Sequence, residues 1–123
     1  MTALRDILCA LPGVEVWLDA GFADAAAAAA LHEQLGVDAA RVVNVFGSES
    51  LRSRQAVASC FASPTRAVLS LDRRDGLRLD PAGCWELPAL WPERVIVMTL
   101  ERVGAGAGPD LDTLRDVQAR APK

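Results

Sequence analysis

Four short apolar stretches recur along this chain at a nearly constant spacing, and that spacing constrains the fold more than any other feature. They are Val14 to Asp19, Arg41 to Phe46, Arg66 to Asp72 and Arg94 to Glu101. Aligned, they bring Trp17, Asn44, Ser70 and Val97 into one column, at spacings of 27, 26 and 27 residues. A period of this size fits one strand, one helix and two short loops, the repeating unit of parallel α/β folds. The sequence therefore predicts four consecutive βα units.

Between the strands lie helical segments. Residues 23–35 are strong helix formers with Asp24 near the start and Gly36 as a stop, and residues 50–62 open after a serine and close before Pro64. Residues 2–11 predict a leading amphipathic helix ended by Pro12-Gly13, and residues 109–120 a last helix with acids in its first turn. The third crossover, residues 73–93, contains Pro81, Pro88 and Pro92. It predicts a short excursion around Asp75-Gly76 and at most one or two turns near Glu86 to Trp91.

Strand parity then selects among parallel folds. Glu15, Trp17 and Asp19 alternate with Val14, Val16 and Leu18, Ser70 and Asp72 with Leu69 and Leu71, and Thr99 and Glu101 with Ile96, Met98 and Leu100. One apolar and one polar face per strand suits a barrel, whose interior tolerates polar groups near its mouth, better than an open sheet covered by helices on both sides. Eight such units would need about 216 residues, inside the usual range for a closed barrel. This chain has 123. The fold class expected is thus α/β, a partial (β/α)8 TIM barrel of four parallel units preceded by a helix, forming a single domain over residues 1–123.

Composition narrows the setting. At 51% hydrophobic residues the chain can bury a core, and sixteen acids against thirteen scattered basic residues leave no clustered basic face for nucleic acid. Cys9, Cys60 and Cys84 are odd in number and far apart, with His32 the only histidine, so neither a disulfide framework nor a zinc site is expected. The first residues form neither a signal peptide nor a membrane span. A cytoplasmic protein without metal or cofactor is the expectation.

Candidate site residues lie at the carboxyl ends of the strands, where barrel active sites are built. Asp72 reads either as a general acid or base or as the cap of the turn after it. Asp19 reads as a ligand contact or as the cap of the next helix, Thr99 as a substrate contact or an ordinary β-branched strand residue, and His32 as a solvated surface residue. Gly47-Ser48-Glu49-Ser50 can cradle a phosphate or simply cap a helix. The glycine-rich loop from Gly104 through Gly106 to Asp110 lacks the strand context of a dinucleotide fingerprint and reads as a lid or a mobile loop. Trp85 and Trp91 are expected in the core, with the roof of a ligand site as the alternative.

Several of these residues resemble the histidine-biosynthesis isomerase and cyclase barrels, HisA and HisF. Ser70 to Gly76 looks like the fifth-strand motif that carries a catalytic aspartate in that family, Thr99 falls in the sixth strand, and Gly104 to Asp110 looks like a sixth loop ending in Gly-Pro-Asp. Gly47-Ser48 resembles the fourth-strand phosphate loop. The similarity is nearest to a branch linked with tetrahydromethanopterin-dependent one-carbon metabolism. It implies an aldose-to-ketose (Amadori-type) isomerase acting on a phosphoribosyl substrate, with Asp72 and Thr99 catalytic and Asp19, Asn44, Gly47, Ser48, Gly104 and Gly106 binding substrate. The family's third-strand turn is altered at Leu18 to Phe22 and its sixth-loop aspartate is replaced around Val103. Strands one, two, seven and eight have no counterpart, so a partner aspartate and a second phosphate site are missing. The expectations that follow are an incomplete chain inactive alone, a half-barrel that closes by homodimerisation, or a non-catalytic fold remnant or partner protein.

Overall fold

A computed structural model describes residues 2–62 and 66–122. Helix α1 (Thr2–Ala10) leads into β1 (Val16–Leu18), α2 (Ala25–Leu35), β2 (Val42–Gly47), α3 (Arg54–Cys60), β3 (Val68–Arg74), β4 (Leu77–Arg78), β5 (Arg94–Thr99) and α4 (Leu111–Arg120). Strands β1, β2, β3 and β5 run parallel in that order, and the short β4 folds back antiparallel on the end of β3. The sheet is curled into half of a barrel. Its curvature shows in the inner side chains: Arg94 on β5 stacks over the Trp17 ring on β1, 5.5 Å from its centroid, with β2 and β3 lying between the two strands.

Local chemistry explains most boundaries. Asp24 accepts from the Ala27 amide at 2.9 Å and starts α2, and Gly36, at φ 61°, ends it by donating to the His32 carbonyl. Arg41 reaches back to the Leu8 and Leu11 carbonyls, both at 2.8 Å, and so satisfies the open end of α1. Asp75 and Gly76, with φ of 51° and 80°, make the two-residue turn between β3 and β4, because both central positions of such a turn need positive φ.

One predicted element differs. The helix expected from residue 50 begins at Arg54 with Ser53 as its cap, because the Ser50 and Leu51 amides are held by the Gly47 carbonyl in a turn. Its expected stop at Pro64 lies outside the described residues. The third crossover, as its prolines predict, forms no α-helix and holds only 3-10 turns at Cys84–Glu86 and Pro88–Leu90. Trp85 and Trp91 are buried there and cover the sheet in place of a helix.

The core has two layers. Phe46, Leu69 and Leu71 pack outward against Val57, Cys60 and Trp85, whereas Val43, Val45 and Val68 form a smaller inner layer with Ile96. At the amino end of the strands that inner layer is closed by Glu15, which pairs with Arg66 at 3.3 Å and Arg94 at 3.8 Å.

Candidate functional site

The opposite end of the inner face holds a buried carboxyl group. Asp72 is 8% exposed, near the carboxyl end of the central strand β3. Its Oδ1 accepts from the Ser70 hydroxyl at 2.8 Å and its Oδ2 from the Glu49 amide at 3.2 Å. Ser70 stands two residues earlier on the same strand face, the spacing that lets neighbouring side chains meet on a pleated strand. Burial pushes the Asp72 carboxyl above the usual range, the Ser70 hydroxyl and Glu49 amide oppose this, and the charges of Asp19 and Glu49 add to it.

The surrounding backbone is fixed as firmly as the side chain. Ser48 is fully buried; its hydroxyl accepts from the Asp72 amide at 2.9 Å and donates to the Leu79 carbonyl at 2.7 Å. The Asp72 carbonyl accepts from the Leu79 amide at 2.9 Å and from the Trp85 indole at 3.2 Å. Gly47 leaves room for the carboxylate: a Cβ there would stand 2.8 Å from Asp72 Oδ2.

Among the residues singled out from sequence, Gly47, Ser48, Asp72 and Asp19 gather at this end. Asp19 is exposed and accepts from the Gly21 amide at 3.3 Å, so it closes its own turn; the helix cap belongs to Asp24. The amides of Ser48, Glu49, Ser50 and Leu51 are all used within the protein, by Ser70, Asp72 and Gly47, so the turn presents no free amide cradle. Gly104 and Gly106 lie in an exposed loop, each with positive φ, before Asp110 caps α4.

Asn44 and Thr99, expected on the ligand-facing side, point instead into the helix layer. Asn44 bonds to His32 of α2 at 3.0 Å, which also makes His32 half-buried and paired rather than solvated. Thr99 donates to the Asp110 carboxylate at 2.8 Å. The reason is stagger between strands. Trp17 pairs with Val43, Val45 with Val68, and Ser70 with Ile96, offsets of 26, 23 and 26 residues rather than 27, 26 and 27. Each odd difference exchanges the two faces of a strand. Trp17 and Ser70 therefore stay inside while Asn44 and Val97 turn outward.

Sequence reasoning did not single out Ser70, the Leu79 carbonyl or the Trp85 indole as parts of the site. Ser70 was accessible by its period-2 spacing from Asp72. The other two depend on how the hairpin and third crossover fold back, which no local pattern encodes.

Other chemistries find less support. Burial pushes the Cys60 and Cys84 thiols up to about 11 and about 12, which leaves little thiolate for nucleophilic attack. A cavity of about 690 Å³ lies not beside Asp72 but under α2, where Ala25, Ala28 and Ala29 are too short to fill the space over β2. Among the described residues no helix is long and apolar enough to cross a membrane. Compared with family models, with curated proteins and with solved structures, the chain matches none of them.

Proposed function

We propose that this chain is half of a (β/α)8 barrel related to the histidine-biosynthesis isomerase and cyclase barrels, and that Asp72 moves protons in an aldose-to-ketose rearrangement of a phosphorylated sugar. One observation carries the reading: a buried carboxyl group, raised by desolvation and held by Ser70 and the Glu49 amide, stands at the carboxyl end of the central parallel strand. Such a rearrangement shifts hydrogen between adjacent carbons and needs one group to give a proton and one to take it. A carboxyl whose pKa lies nearer neutrality serves both roles better than an ordinary carboxylate. A single aspartate doing both would lose roughly 100-fold or more relative to two positioned groups.

A second reading has its own support. With the Ser48–Leu51 amides and the Ser48 hydroxyl already bonded inside the protein, the phosphate grip of an isomerase is reduced, which favours a scaffold that keeps the fold without the chemistry. Amide NMR with ribose 5-phosphate as the probe separates the two. The first reading expects shifts at Gly47, Glu49 and Asp72 and slow conversion to the ketose, with Asp72→Asn binding the probe but not converting it. Absence of both shifts and conversion supports the scaffold.

A further inference from the structure

The half-barrel leaves β1 and β5 each with one edge that has no strand partner among the described residues. Exposed large apolar side chains collect beside both edges. Ile7, Leu11, Val14 and Trp17 flank β1, and Leu111 and Leu114 lie on α4 beside β5, each 40–52% exposed. Between α4 and β5 opens a groove of about 490 Å³ lined by Trp91, Val95, Val97, Leu114 and Val117.

We infer that a second copy of this chain closes the sheet: β5 of each copy pairs in parallel with β1 of the other around a two-fold axis, giving eight principal strands. This stands independently of the proton-transfer reading. The argument is one of register. Straight across the sheet, Trp17 is level with Val43, then with Arg66, then with Pro92, by the observed pairings. A closed eight-stranded barrel of this type is staggered by about eight residues per circuit, hence about four per half circuit. Pro92 then meets the partner's Gly13, and Ile96 stands beside the partner's Trp17.

That register uses the strands as they are. The partner's Val16–Leu18 falls opposite Val95–Val97, in the middle of β5, whereas stagger of the other sign would set the partner's Trp17 against Pro88, in a 3-10 turn. Trp17 and Ile96 both face the inner side, as parallel neighbours must. Arg94, which already pairs with Glu15 of its own chain at 3.8 Å, comes beside the partner's Glu15 as well, so the seam sets no like charges against each other there. The apolar groove beside α4 receives the exposed side of the partner's α1, carried by Ile7 and Leu11. Where Asp72 is a proton-transfer residue, closure also sets two copies of it around one mouth and supplies the second group that one half lacks.

Light scattering on the purified chain tests closure. The expected mass is twice 13.1 kDa, independent of concentration once assembled. A monomer at 100 µM, or a mass that keeps growing with concentration, overturns the proposal. Register is tested in a Cys9→Ser background. Trp17→Cys with Ile96→Cys is expected to oxidise to a covalent dimer, and Trp17→Cys with Met98→Cys is not. Equal cross-linking of the two pairs overturns the register. Leu11→Lys with Leu114→Lys alters only exposed positions, so its circular dichroism is expected to stay unchanged while the dimer is lost; a dimer that survives both changes places the seam elsewhere.

Discussion

At the scale of single residues, two aspartates respond to pH in opposite senses. Asp110 is held down to about 2 by the Thr113 hydroxyl, then the Thr99 hydroxyl and the Thr113 amide. Its contribution is complete above the unfolded value of about 3.8 and is lost as pH falls toward 2. Asp72 is raised by burial, so its contribution is complete at low pH and lost as pH rises through its folded-state value. Asp72→Asn is therefore expected to melt above wild type at pH 7 and level with it near pH 3, by calorimetry at a series of pH values. Asp110→Asn is expected to flatten the acid limb between about pH 4 and about 2. Gly47→Ala drives a methyl group against Asp72 Oδ2 and is expected to cost about 1–3 kcal/mol, the usual penalty of overpacking. Most of that cost is expected to vanish when Asp72→Ala is added, a coupling that denaturant titration of the double-mutant cycle measures.

At the scale of elements, sequence signals succeed where the chemistry is local. Asp24 and Gly36 bound α2, and Asp75-Gly76 makes its turn, because each needs only side chains or dihedrals within a few residues. Gly76→Ala is expected to cost about 1–2 kcal/mol in unfolding titrations, the price of a left-handed L-residue. Removing the Ser53 cap of the seven-residue α3 with Ser53→Ala is expected to cost about 1 kcal/mol. Where the chemistry is not local the signal fails. The period counted the units correctly, yet Asn44 and Thr99 face the helices because strand stagger changes the offset by odd numbers. The same limit hides the grip of Ser48 on the Leu79 carbonyl, whereas the prolines and tryptophans of the third crossover do announce its short turns and its cover.

At the scale of the whole molecule, protection from solvent follows the sheet order. β3 lies between β2 and β5 and is fully buried from Val68 to Leu71 apart from a trace at Ser70, whereas β1 is three residues long at an edge. Hydrogen exchange is expected to be slowest in β3 and fastest in β1 for an isolated half-barrel, with β1 slowing as copies associate. The half-barrel's three tryptophans and absence of tyrosine have an optical consequence. Trp17 stands exposed at the inner edge, the Trp85 indole donates to the carbonyl of Asp72, and Trp91 lines the groove beside α4. Its ultraviolet emission is thus a sum of three local signals: a red component from the edge, a blue one beneath the buried carboxyl and a third beside the groove. Replacing two of them by Phe leaves a chain whose colour reports on one place at a time.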